Sequence, residues 1–287
     1  MLAWRARGRD LELRGRELFV ASSEGDGPEI LFLHGFPSSS FDWRGVCDLL
    51  EGRGWIAPDL LGFGLSEKPS GRAYSIFEQA DLVEALVAGR RQMLLVAHDY
   101  GTSVATELLA RELRGGLPFS LSGVLLLNGS MVVERASLTP GQRLLRSPIG
   151  PLAARASLRP MFEREFSRLF SPAQPLSEEE ARDQWALWRY RDGSSNAARL
   201  IAYIGERTRH AGRWHGAIAE WPGDLRLMWG MRDPVATPAV LEALRELRPH
   251  VPVSELHEVG HYVQIERPDL VAQAIDAFDA PPDPLAA

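Results

Sequence analysis

Short apolar runs that stop abruptly at turns alternate along this chain with stretches of helical spacing. A repeated strand-then-helix order can pair its strands only as a mostly parallel sheet covered by helices. The apolar runs span residues 30–33, 93–97, 124–128, 225–230 and 253–256, with a weaker one at 55–59 and a strand, turn, strand pattern over 11–22. Runs this short and continuous suit strands buried on both faces. Helices are expected over 75–87, where Ile76, Phe77, Ala80, Val83 and Leu86 recur at helical spacing, and over 101–113, 239–247 and 269–278. Ser75 can cap the first of these, with Glu78 at the capping-box position.

Residues 131–219 depart from this alternation. They are rich in Arg, Pro and Trp and mostly helical in pattern. No ordinary connection between two strands is so long, so this segment is expected to be an inserted helical cap, or lid. It should sit over the carboxyl edge of the sheet, where open α/β sheets bind their ligands. The expected organisation is a core of residues 1–130 and 220–287, interrupted by a cap of 131–219.

A length of 287 residues allows one large core, or a core plus such an insertion. The formal net charge of −6 argues against nucleic acid as a partner, because phosphate binding needs a basic field. Cys47 is the only cysteine, which rules out an intrachain disulfide and leaves it a packing residue. No apolar run reaches the roughly 18 residues of a membrane span, and the first residues carry no apolar signal-peptide core. The expectation is a cytoplasmic monomer or homodimer with no membrane partner. No metal-ligand cluster is apparent, and Gly62-Phe63-Gly64 is too short for a phosphate-binding loop, so no cofactor is expected.

The chemistry concentrates at residues 95–103, Leu-Val-Ala-His-Asp-Tyr-Gly-Thr-Ser. A strand, a tight turn and a helix in that order form the setting of a nucleophile elbow, with Asp99 at its centre and small residues, Ala97 and Gly101, at either side. Asp is also a favoured helix N-cap, so residue 99 has two readings when taken alone. Two later residues decide between them. Asp233 follows the apolar run 225–230 and His261 follows 253–256, giving the order nucleophile, acid, histidine. Asn128 ends an earlier run where an acid can also stand, but an amide cannot serve as one. The oxyanion hole should use the backbone N–H groups of Tyr100 and of Phe36, which lies in the loop His34-Gly35-Phe36-Pro37.

These residues resemble the α/β-hydrolases with an aspartate nucleophile, a group that includes epoxide hydrolases and haloalkane and fluoroacetate dehalogenases. The mesoderm-specific transcript protein family is the nearest in text. The resemblance spans nearly the whole chain and is carried by His34-Gly35-Phe36-Pro37, Leu61-Gly62-Phe63-Gly64, the run from Tyr74 to Ala80, His98-Asp99-Tyr100-Gly101, Arg191-Asp192-Gly193 and Asp233-Pro234-Val235. It implies the α/β-hydrolase fold, and a covalent ester formed when Asp99 attacks an electrophilic carbon of a small apolar substrate. Water activated by His261, itself oriented by Asp233, would then cleave that ester.

The cap residues bear on the substrate. In epoxide hydrolases cap tyrosines protonate the leaving alkoxide, and Tyr203 has a similar place. No Tyr lies between Met131 and Arg189, so Tyr190 is the stand-in for a second. The halide-binding side chains of dehalogenases have no match at Phe36 or Tyr100, and Trp185, Trp188 and Trp214 are read first as lid packing. The expectation is therefore an epoxide hydrolase, with dehalogenation next and a ligand-binding protein of this fold with little turnover as a third reading. Tyr203, Tyr190, His34 and Trp188 are the candidate substrate-contacting residues.

Overall fold

The computed structural model describes residues 1–279. Its strands are β1 (Gly8–Leu13), β2 (Arg16–Ser23), β3 (Asp26–Leu33), β4 (Arg53–Pro58), β5 (Gln92–His98), β6 (Ser120–Leu127), β7 (Leu225–Gly230) and β8 (Val253–Leu256). They form one eight-stranded sheet in the order β1-β2-β4-β3-β5-β6-β7-β8. β2 runs antiparallel to β1 and β4, and every other neighbouring pair is parallel. This is the mostly parallel sheet expected from the alternating pattern.

Continuous apolar runs are explained by burial on both faces. Leu31, Leu33, Leu95 and Ala97 enter one core layer, while Ile30, Phe32, Leu94 and Val96 enter the other. Successive strand side chains point to opposite faces, so a strand covered on both sides has no polar positions to spare. From β3 the chain moves to β4 on one side and then crosses to β5 on the other. That reversal opens a crevice at the carboxyl ends of β3 and β5. The loops after β3, β5, β6, β7 and β8 all leave the sheet at that edge.

Every element described between β6 and β7 is helical. The helix at the end of that segment, Ala211–Glu220, lies against the helix that follows β5, Tyr100–Glu112. Their shared anchor is the buried Glu107. It accepts from Arg213 at 2.6 and 2.8 Å, from Trp214 Nε1 at 2.9 Å and from Arg111 at 2.9 Å. Burial pushes this carboxyl group up, but those hydrogen bonds outweigh burial and hold it below the usual range.

One local expectation fails in an informative way. Ser75 does cap the helix Ile76–Leu86, accepting from the Phe77 N–H at 3.2 Å. Glu78, however, does not close the box. Its carboxylate holds Arg72 at 2.6 Å. The Ile76 amide and the Ser75 hydroxyl instead donate to Glu206, at 2.7 and 2.6 Å, from the helix Tyr203–Arg209. A carboxylate from the helical insertion thus accepts from the start of this helix and ties the two parts together.

A second tie involves Asp42, which accepts from Gln184 Nε2 at 2.7 Å and from Ser38. Burial raises its carboxyl pKa to about 7, against the lowering effect of the Ser38 and Gln184 hydrogen bonds. Because the folded value lies above the unfolded one, the neutral form favours folding. That contribution is complete at low pH and is lost as pH rises toward 7. Asp42→Asn should therefore gain stability relative to the parent by about 2.5 kcal/mol between pH 5 and pH 8. Guanidinium unfolding at the two pH values measures this, and a pH-independent difference would contradict it.

Candidate active site

The bend at the end of β5 sets the geometry. Asp99 adopts φ 41° and ψ −104°, a conformation that residues with a side chain rarely occupy. The bend is tight because neighbouring chain passes very close. A Cβ on Gly101 would lie 2.4 Å from the Leu33 carbonyl oxygen, and one on Gly35 would lie 2.7 Å from His98 Nδ1. Although Asp99 occupies the N-cap position of the following helix, its side chain caps no backbone N–H. Its carboxylate turns elsewhere: Oδ2 accepts from the Phe36 N–H at 3.1 Å, and buried Oδ1 has no hydrogen-bond partner among the described residues. Tyr100 opens the helix, so its amide has no acceptor within it.

Asp233 and His261 meet at the same edge. His261 Nδ1–H donates to Asp233 Oδ2 at 2.6 Å, which leaves Nε2 for the cavity that His261 lines. Asp233 Oδ1 accepts from the Val235 N–H at 2.6 Å, and Oδ2 also accepts from Asn128 Nδ2 at 2.7 Å. Burial lowers the His261 pKa, but the charge and hydrogen bond of Asp233, followed by the charge of Asp99, outweigh it and leave it raised.

Of the three, His261 lines a cavity of about 130 Å³ beneath the helical insertion. Phe36, Trp188, Phe162, Phe166, Val235 and His261 line part of it. Trp188 is in the cavity wall, and its indole N–H has no partner among the described residues. The other three candidates have different positions. Tyr203 is buried between Phe36 and Tyr100, with ring centroids 6.2 and 4.9 Å away, and lines an adjoining cavity of about 180 Å³. Its phenol is pushed up first by burial and then by the charge of Asp99. His34 does not line either cavity; its Nδ1–H donates to the Gly35 carbonyl and its Nε2 accepts from the Leu60 N–H, both at 2.9 Å. It braces the loop that carries Phe36. Tyr190 packs near Lys68 and Arg191, with the cations 5.2 and 5.4 Å from its ring centre, and lines neither cavity. The chain turns sharply there, with Arg191 and Asp192 at φ 49° and 57°, and this carries Tyr190 away from the site.

Residues 30–274 match the family described as "Alpha/beta hydrolase family". The chain belongs to the alpha/beta hydrolase family. LipZ of Mycobacterium tuberculosis is 54% identical over 273 residues, covering 94% of this chain and 95% of that one. The human mesoderm-specific transcript homolog protein is 37% identical over 281 residues, covering 93% and 84%. Among solved structures, haloalkane dehalogenase DbeA from Bradyrhizobium elkani superposes with a TM-score of 0.76 at 26% identity, covering 95% and 98%. The resemblance to the mesoderm-specific transcript family, read from the motifs, is thereby borne out. Among the described residues no helix is long and apolar enough to cross a membrane, and no three His, Cys, Asp or Glu side chains gather as a metal site.

Three residues of this hydrolase's site had no role in the sequence reading. In the sequence Asn128 is only an amide at a place where an acid can stand. It has φ 36°, which Asn tolerates, and its amide bridges Asp233 and both backbone groups of Gly230, accepting at 2.8 Å and donating at 3.1 Å. His98 is buried beside His261, 4.7 Å between ring centroids. Burial and then His261 hold its pKa well below the ordinary value, so as a neutral ring its Nε2–H donates to the His261 carbonyl at 2.9 Å and its Nδ1 accepts from Gln264.

Arg207 is the third. Its guanidinium is buried, donates to the Asp99 carbonyl at 2.8 Å, to Ser103 Oγ at 2.6 Å and to the Ser130 carbonyl at 3.2 Å, and lies 3.7 Å from Asp99 Oδ1. A lone Arg in a helical stretch gives no signal of this kind; only an Asp at an elbow with a buried cation beside it would prompt the search. The bend itself is testable apart from any reaction. Gly101→Ala drives a Cβ into backbone, not into a mobile side chain, and should cost about 3 kcal/mol or more in urea unfolding. A cost below about 1 kcal/mol would mean that the bend is looser than drawn.

Proposed function

We propose that this hydrolase works through a covalent ester on Asp99, and that it opens epoxides to diols. The observation that carries the reading is the Asp99 carboxylate: aimed away from its own helix, with one oxygen on the amide of Phe36, which lines an apolar cavity together with His261, and the other without a hydrogen bond among the described residues. A carboxylate is ionised at neutral pH and attacks carbon without first losing a proton. Attack breaks the carbon–oxygen bond of the ring, and the alkoxide takes its proton from the Tyr203 phenol, which is buried close enough to Asp99 to feel its charge. His261 Nε2 then removes a proton from water, and the hydroxide adds to the Asp99 carboxyl carbon. The amides of Phe36 and Tyr100 hold the oxyanion; its collapse breaks the acyl carbon–oxygen bond, the diol leaves with the proton of the added hydroxyl, Asp99 returns as a carboxylate, and the proton on His261 passes back to the Tyr203 phenolate through solvent.

Asp233, fixed by Asn128 and the Val235 amide, holds the imidazole in the tautomer this step needs. Residues 131–219 act as the cap that keeps bulk water from the ester.

Dehalogenation remains a second reading because of one observation: Trp188 lies in the cavity wall and its indole N–H has no partner among the described residues. Such a donor suits a departing halide. The two readings separate cleanly, since only an alkoxide requires a proton. Tyr203→Phe should slow ester formation from an epoxide by roughly 10²–10⁴ and leave ester formation from a haloalkane unaffected; Trp188→Phe should do the reverse if halides are the substrate. Stopped-flow measurement of both substrates on both variants decides the matter, and equal losses throughout would remove Tyr203 as the acid.

The ester itself has two direct readouts. His261→Gln should trap it as a mass increase on the peptide containing Asp99. A single turnover of the parent in heavy-oxygen water should leave label in Asp99. Label confined to the diol would eliminate Asp99 as nucleophile.

A further inference from the structure

Among the described residues nine large hydrophobic side chains are exposed, and five of them fall between residues 144 and 161. Leu144, Ile149, Leu152, Leu158 and Met161 are 37, 60, 69, 63 and 53% exposed. They lie on or beside three consecutive helices, Pro140–Arg146, Gly150–Arg155 and Arg159–Ser167. The first of these is properly formed at its start, with a reciprocal Thr139–Gln142 capping box, so Leu144 is not exposed by fraying there. Scattered surface leucines need no explanation, but a cluster of this density on one set of neighbouring helices does.

The same helices surround the cavity that His261 lines. Leu144, Ala153 and Met161, one from or beside each helix, are in its wall. The exposed cluster therefore surrounds the approach to the site, and Leu144 and Met161 belong to both.

Charge distinguishes the surface this patch fits. Residues 140–168 carry six Arg and two Glu, a net +4, in a chain whose formal net charge is −6; the remainder of the chain therefore carries −10. Glu163 and Glu165 are already paired with Arg159 and Arg168. Arg143, Arg146, Arg155 and Arg164 are exposed and form no ion pair among the described residues. A second copy of the chain, joined by a two-fold axis through this patch, would set these unpaired cations against one another. An apolar phase with an anionic surface meets both properties at once: the aliphatic side chains enter the acyl boundary and the guanidinium groups stay at the headgroups.

We propose that residues 140–168 form a docking surface for an anionic phospholipid bilayer, which brings the cavity mouth to the lipid so that apolar substrates enter from the membrane. The protein lies on the bilayer and does not span it. This proposal is independent of the reaction assigned to Asp99, because it is read from binding alone.

The test is flotation of the full chain with vesicles of phosphatidylglycerol and phosphatidylcholine mixed equally, compared with vesicles of phosphatidylcholine alone, at low and high salt. Binding to the anionic vesicles should be at least about tenfold stronger, and should weaken as salt screens the arginines. The variant Ile149→Glu with Leu152→Glu should lose at least about tenfold of that binding, since both the apolar contact and the charge change. Arg143→Gln with Arg155→Gln should lose the preference for phosphatidylglycerol while retaining residual binding to either vesicle. All four positions are exposed, and an unchanged thermal unfolding curve confirms that each variant is folded. Absence of flotation, or flotation equal in parent and Ile149→Glu/Leu152→Glu, would overturn the proposal. So would a dimer in sedimentation equilibrium that dissociates in that variant without any vesicle binding, which would make the patch an interface between copies.

Discussion

The backbone of Asp99 is held in a left-handed bend from three directions, and the site follows from that bend. Its N–H donates to the Leu127 carbonyl of β6 at 3.2 Å. Two residues on, the Gly101 N–H donates to the His34 carbonyl, just past β3, at 2.9 Å. Its own carbonyl accepts from Thr102 and from the buried Arg207. A bend of this sort costs on the order of 1–3 kcal/mol and persists only where its surroundings leave no alternative. Here the surroundings are two flanking parallel strands and a guanidinium brought in from the helical insertion. Released from the bend, the Asp99 carboxylate would be free to cap its own helix and would turn away from the Phe36 amide.

Charges around the bend alternate in a way that bears on reactivity. Arg207 faces Asp99, and Asp233 faces His261, while His98 beside His261 is kept neutral by burial. The charge of Asp99 is one of the influences that raise the His261 pKa. Under the proposed mechanism, formation of the ester cancels that charge. The imidazole then shifts toward its neutral form at the step where it must accept a proton from water. Arg207 loses its nearest anionic neighbour at the same moment, so hydrolysis, which restores the carboxylate, also restores a buried ion pair. One change of charge thus favours the second half of the cycle through two different groups.

Local signals were reliable where the determining contacts are local or periodic. The strands at 30–33, 93–97 and 124–128 reappear in β3, β5 and β6 because two-sided burial leaves an unmistakable apolar run. Motif reading likewise placed Asp99, Asp233 and His261 at strand ends on one edge. It was less reliable where a partner comes from far along the chain. Glu78 had the right spacing for a capping box, but Arg72 holds it, and Glu206 from far along the chain accepts from the Ile76 amide at the helix start. Tyr190 had a plausible position in the insertion, yet two left-handed residues after it turn the chain away.

The amino-acid sequence by itself determined the order of strands and helices, the family, and which residue stands at the elbow. Periodicity and glycine placement act over a few residues and can be read in a line. Only the tertiary structure decided what surrounds Asp99. Arg207 lies 108 positions from it and Asn128 lies 105 from Asp233, and neither pairing leaves a mark in spacing or composition. Those contacts exist because the sheet gathers the carboxyl ends of β5, β6, β7 and β8 at one edge while the insertion folds over it. A buried charge or amide then binds whichever unsatisfied group it meets there. The elbow was legible as a motif; its conversion from a helix cap into an aimed carboxylate was decided by those distant neighbours.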